Sequence, residues 1–315
     1  MGKREKAMRR IAFLVLLLWP SLVTAGIINM EFKFTPFVGD PAKANFVETV
    51  PGTASVYINN APVMEKEVEK EKVPVLFEDL EIAASVWVPA SSLGPALRKG
   101  KNNIRIEFEP VDKNASYRAQ LRWASVTDQV TKSGNSSASL SETNQSGEGV
   151  DDRKVTGHAV FNREFVADFA TDMPWHHYPP VTTLSDEDKK SLTMLVKQRE
   201  EALKPDFAAA YQILGNIPGI PLAEIKNLKC LDKSYAAGLR MAAGPPDKLD
   251  FVITGNPEVV VRDKTGDLFH LVDPEALARI TDNDQQECVQ AAFVALFPPR
   301  LVVVRTPSGK WEVVY

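Results

Sequence analysis

Histidine and cysteine are scarce in this chain, with four His and two Cys among 315 residues. No H-x-H, H-E-x-x-H or clustered Cys/His spacing occurs, so no set of side chains has the layout of a zinc site and no metal is expected. The G-x-S-x-G elbow, the P-loop and the dinucleotide fingerprint are missing as well, which argues against a standard hydrolase or nucleotide enzyme and predicts no cofactor. Long apolar runs are absent after the first 30 residues, so no transmembrane helix is expected there. Internal repeats are absent too. What is present is an ordinary globular composition, 44% hydrophobic and 25% charged, with enough length for two cores.

The first ten residues are basic, Ile11 to Trp19 is apolar, and Val23-Thr24-Ala25 has the small-residue pattern that precedes cleavage. This is the layout of a secretory signal peptide over residues 1–25, cut after Ala25, and it predicts a periplasmic or secreted protein. An uncleaved anchor is the rival reading, because no charge interrupts Ile11 to Met30. The leader carries five Lys/Arg and one Glu, a net of +4, so the remaining chain stands at −8 against −4 for the whole. An acidic protein of this kind offers no electrostatic footprint to nucleic acid or to anionic membranes. Cys230 and Cys288, an even count in an exported chain, predict one disulfide. It would close a loop of 58 residues, which the chain-entropy model values at roughly 4 kcal/mol. Two buried free thiols are the alternative.

Residues 26–172 read as strands. Met30–Phe34, Ser55–Ile58, Ser85–Val88, Asn103–Glu109 and Tyr117–Trp123 contain apolar and polar residues in alternation, the period of a half-buried strand, and Val155–Phe169 holds one or two more. Short strands divided by Gly, Pro and Asn turns predict an antiparallel β-sandwich. Val56 to Val63 reads as a strand, a tight Asn59-Asn60 turn and the start of its partner; Leu97 to Ile106 reads as a turn feeding a core strand. Over Val56–Phe108 this pattern resembles that of galactose-binding-like jelly-roll domains, although Asn59-Asn60 replaces the usual Asn-Gly. The resemblance implies a jelly-roll-like fold, which in that family binds sugars in some members and only packs against a neighbour in others. Glu65–Lys72 is a mixed charge run expected to be solvated. The Ser/Asn/Gly-rich stretch 131–149 has no apolar periodicity and is expected to be a disordered loop.

Met173 to Pro180, Met-Pro-Trp-His-His-Tyr-Pro-Pro, separates this part from a second of different pattern and reads as a linker. Over 181–315 the order is three helices (from Ser185, from Pro205, and Leu231–Ala243), then strands at Leu249–Thr254, Glu258–Arg262 and Asp267–Val272. A short helix after Asp273, a helix over Asp282–Phe297 and a closing hairpin complete it. Helices followed by a curved antiparallel sheet make an α+β domain. Its element order resembles that of domains related to nuclear transport factor 2, a fold that hosts enzymes, binding modules and scaffolds alike.

The candidate ligand-binding residues are Trp175, His176, His177, Tyr178 and His270. Imidazoles bind metals and move protons, but adjacent histidines in an extended segment point apart. His270 alternates with Leu268 and Val272 on a strand, where a pocket could bring it to Tyr211 or Tyr235; His158 has no visible partner and reads as structural. Catalytic residues are not identifiable. The expected function is that of an exported, non-enzymatic binding or protein-interaction module of the cell envelope, with carbohydrate or another envelope protein as partner. The alternative is a periplasmic hydrolase with its site in the α+β pocket or at the junction.

Overall fold

A computed structural model describes residues 26–76, 80–132, 139–217 and 219–314; the leader lies outside them. The chain is mostly antiparallel β-sheet with a minor helical fraction. Eleven strands come first: β1 (Gly26–Val38), β2 (Phe46–Thr49), β3 (Gly52–Ile58), β4 (Ala61–Val68), β5 (Lys72–Leu76), β6 (Glu81–Ile82), β7 (Val86–Pro89), β8 (Gly100–Pro110), β9 (Ser116–Lys132), β10 (Ser139–Thr156) and β11 (Ala159–Ala167). They form a seven-stranded sheet of order β10-β9-β1-β2-β5-β6, with β7 also paired to β1, and a four-stranded sheet of order β11-β8-β3-β4.

Alternation explains why these residues are strands. Ile104, Ile106 and Phe108 of β8 are fully buried while Arg105 and Glu107 face the other way. Phe32 and Phe34 of β1 reach the same apolar cluster from the other sheet. Phe34 meets Phe161 edge-on at 5.4 Å, and Phe108 meets Tyr117 at 5.6 Å, geometries favoured by the ring quadrupoles. The β3–β4 hairpin turns on Asn59 and Asn60, with φ of 50° and 68°. A two-residue turn of this hand requires positive φ at both positions, and asparagine tolerates it best after glycine.

The stretch 131–149 corrects an expectation. Thr131 and Lys132 belong to β9 and Ser139–Gly149 to β10, paired in register from Ser139↔Lys132 onward, with one shift between Ser146 and Gly149; 133–138 lies outside the described residues. A ladder is made by backbone groups, so a sequence too polar to bury can still pair in one.

The second part contains α1 (Asp186–Glu200), α2 (Ala208–Gly215), α3 (Leu222–Asn227), α4 (Cys230–Ala236), β12 (Met241–Ala243), β13 (Leu249–Ile253), β14 (Glu258–Asp263), β15 (Phe269–Leu271), α5 (Asn283–Leu296), β16 (Arg300–Arg305) and β17 (Trp311–Val313). β13-β14-β16-β17 is an antiparallel sheet and β12 pairs with β15. The expected helix over Leu231–Ala243 is shorter. It ends at Ala236, Gly238 takes φ 94°, and Met241–Ala243 becomes a strand. Glycine adopts that left-handed turn without a Cβ penalty.

Ser185 caps α1 and Asp282 caps α5 through their side chains. Cys230 on α4 and Cys288 on α5 form the expected disulfide, Cα atoms 6.0 Å apart. Arg199, at the end of α1, donates to the carbonyls of Leu296 (2.6 Å) and Ala295 (3.3 Å). A cation there offsets the negative end of the α5 dipole, and burial lowers its pKa to about 10. Val259, Val260 and Val261 are all buried. Val259 and Val261 face the helical core, and Val260 faces Ala61 of the first part. A continuous apolar run is what a strand covered on both faces needs.

Among the described residues no helix is long and apolar enough to cross a membrane.

Candidate functional site

The residues singled out in the linker lie in a seam between the two parts. Pro174–His177 form one 3-10 turn, with Tyr178 closing it through a bond to the Trp175 carbonyl. His176 is 8% exposed. Its Nδ1 accepts from the Met173 amide at 3.3 Å, and its Nε2 sits 3.1 Å from the Pro95 carbonyl. Both ring nitrogens therefore face backbone polar atoms, and Nδ1 also lies 3.7 Å from the Asp172 carboxylate. Arg98 donates through one nitrogen to the His176 carbonyl at 2.9 Å and through another to both carboxylate oxygens of Glu258 at 2.8 and 2.7 Å. Glu258 is buried.

Around that pair the β3–β4 turn is bonded into the second part. Asn60 donates to the Thr254 carbonyl and Asn256 to the Asn59 carbonyl, at 3.1 and 2.8 Å. Arg300 donates to the Pro62 carbonyl at 2.8 Å. Ala61 completes the contact against Val260 and Val302.

His177 points away from this seam. It is exposed and lies 3.0 Å from the Asp172 carboxylate. That bond is the largest cause of a lowered Asp172 pKa; desolvation opposes it, and the charges of His177 and His176 add to the lowering. Trp175 packs edge-on against His176, and its Nε1 is buried without a hydrogen-bond partner among the described residues.

His270 is exposed on β15, opposite Ala242. The Asp263 pKa is lowered first by hydrogen bonds from the Thr265 hydroxyl and amide, against desolvation, and then by the charges of Lys248 and, least, His270. Asp263 sits so close to Gly244 that a Cβ there would lie 2.1 Å from its Oδ2. Tyr211 and Tyr235 pack on Phe207, with ring centroids 6.4 and 5.9 Å away. No hydrogen bond or ion pair joins His270 to His176 or His177 among the described residues. No group of three or more His, Cys, Asp or Glu is arranged to hold a metal there either.

Open space lies elsewhere. β1 pairs with β9 as far as Phe37↔Arg118 and, on its other edge, with β2 at Phe37↔Thr49 and Val38↔Glu48. Where that ladder with β9 ends lies a groove of about 510 Å³ between Val38-Gly39 and Ser116-Tyr117, rimmed by Arg118, Lys154 and Thr156. Arg118 is held bidentate by Asp152 at 3.0 and 2.8 Å, and the Ser116 and Thr156 hydroxyls are 2.9 Å apart. Burial, the larger cause, and the Glu109 charge raise the Tyr117 pKa to about 12, keeping it a neutral donor, here to the Gly157 carbonyl.

A second open surface is the outer face of the seven-stranded sheet. Trp87, 54% exposed, stands beside Lys33, and Lys33 beside Arg122. Neither surface was marked by sequence reasoning. The groove lies where the β1–β9 ladder ends, a point with no local signature. Trp87 did have one, since it lies between Val86 and Val88 and must point opposite to them.

No known family model, curated protein or solved structure matches the chain.

Proposed function

We propose that the protein is an exported, non-enzymatic binding module of the cell envelope with carbohydrate as its ligand. In this reading residues 1–25 are a signal peptide removed after Ala25. A jelly-roll-like β-sandwich (26–172) is then joined through 173–180 to an α+β domain (181–315) related in element order to nuclear transport factor 2. The Cys230–Cys288 disulfide suits an oxidising compartment.

The observation that carries the proposal is the contrast in what is accessible. The buried histidine of the linker spends both nitrogens on backbone, whereas the groove of about 510 Å³ offers hydroxyls, a lysine and an arginine over an apolar floor. Ligand sites combine a largely apolar lining with a few fixed polar groups in this way. The experiment is a glycan array followed by isothermal titration of the chain from Gly26, alongside a pull-down from an envelope fraction. Saccharide binding that saturates is expected. Silence in both assays overturns the proposal.

The hydrolytic alternative would place its site at His270, which is exposed on β15. Turnover of an ester, glycoside or peptide substrate that His270→Ala abolishes would support it, and a panel without turnover removes it.

A further inference from the structure

We infer that a saccharide ring docks on the outer face of the seven-stranded sheet, stacked on Trp87 with a hydroxyl in the pit beside its cross-strand neighbour Lys33. The inference rests on the carbohydrate-binding reading and adds to the groove a second contact surface for the same ligand class.

The geometry begins with β7. Val86 and Val88 are fully buried, which forces the indole between them outward. The register then builds one cross-strand row, Trp87, Lys33, Arg122 and Val150, on β7, β1, β9 and β10. Direct partners in antiparallel strands share a face with Cβ atoms about 5 Å apart. Lys33 is bonded to Glu81 at 2.9 Å, and Arg122 donates to Gln120 at 3.1 Å. Next to Lys33 and Arg122 is a pit of about 20 Å³ that Glu31, Glu81, Trp123, Ala124 and Gly149 complete. That is room for one water-sized group.

A lone exposed indole is ordinary on a protein surface; a pit of hydroxyl size in its own row is what gives it direction. The indole offers a π face to the C–H face of a sugar ring. Two carboxylates and two cations at the pit offer acceptors and donors to one hydroxyl. Because Lys33 and Glu81 already satisfy each other, a neutral polyol can bond to them without stranding a bare charge. A protein partner fits less well, since the core of such an interface is contiguous and apolar. Here Lys33 and Arg122 separate Trp87 from Val150.

The test titrates the disulfide-intact chain from Gly26 with neutral oligosaccharides, read by calorimetry. Trp87→Ala is expected to weaken binding about tenfold, the loss of one aromatic stacking contact. Trp87→Phe should keep most of the affinity, Glu81→Gln should weaken it several-fold, and Lys190→Ala on the exposed side of α1 should change nothing. Trp87 is half exposed, so its replacement should leave the fold intact, which circular dichroism checks. If Trp87→Ala binds as the wild type does and Lys154→Ala does not, the site is the groove; this inference fails while the binding reading stands. If the unaltered chain binds no saccharide, both fail. If Trp87→Ala abolishes capture of an envelope protein but leaves saccharide affinity intact, the ligand class is overturned.

Discussion

The seam and the outer sheet face each carry a cation–carboxylate pair of similar length, 2.7 Å for Arg98–Glu258 and 2.9 Å for Lys33–Glu81. Their surroundings differ. The Glu258 side chain is 9% exposed and Arg98 also holds the His176 carbonyl, so the pair is one part of a polar lock between two hydrophobic cores. Glu81 is 25% exposed and Lys33 32%, on an open face beside an indole. Distance alone would rank the two alike. Desolvation separates them, because a buried charge without its partner is costly and an exposed one is rehydrated. A buried pair therefore serves assembly, and an open pair remains available to a ligand.

Breaking the buried pair should have the largest effect. Glu258→Ala leaves the Arg98 guanidinium without its partner and should cost about 3–5 kcal/mol, seen as a lower midpoint in urea. A loss below 1 kcal/mol would make seam and face equivalent. His176→Ala removes a buried ring and two hydrogen bonds to backbone, leaving the Met173 amide and Pro95 carbonyl to find water. About 2–3 kcal/mol is expected by the same measurement.

Acid tests a second interior carboxylate. Asp188 is raised by desolvation, but hydrogen bonds from Trp311, Ser185 and Arg305 outweigh this and hold it far below 3.8. A depressed pKa contributes stability that is complete above the unfolded value near 4 and disappears as pH falls below it. The difference between wild type and Asp188→Asn should thus be about 2 kcal/mol at pH 6 and should shrink below pH 4. A constant difference would refute the assignment.

On the open face, Glu81→Ala should cost less than about 1 kcal/mol and should be insensitive to salt above the ordinary range. The smallest effect belongs to the other linker histidine. His177→Ala should shift stability by no more than about 0.5 kcal/mol, since the ring is solvated. The two adjacent histidines thus repeat the comparison in miniature: a buried member with both nitrogens bonded, and an exposed member with one carboxylate neighbour.

Much of the local structure was legible in the residues. Alternation located β8 and the start of β9, Asn59-Asn60 located a hairpin, and Ser185 and Asp282 located two helix starts. Cysteine count and position located the disulfide. The misreadings share a cause. The polar stretch 131–149 lacked burial, yet its backbone pairs in β9 and β10; Met241–Ala243 lacked strand periodicity, yet β15 supplies a partner. In both, pairing is decided by a distant strand. The edge of β10 also carries Asp151, Asp152, Arg153 and Lys154, charges of the kind that discourage further strand addition.

Taken by itself, the amino-acid sequence determined period, caps and turns, because each of these depends on neighbours within a few positions. Only the tertiary structure decided what the candidate residues do. It placed the Pro95 carbonyl on His176 and Glu258 on Arg98, residues 81 and 160 positions apart. It also aligned Trp87, Lys33 and Arg122 in one row. Burial and register are properties of strands brought together from far along the chain, and they turn one histidine into a clamp and leave one tryptophan in the open.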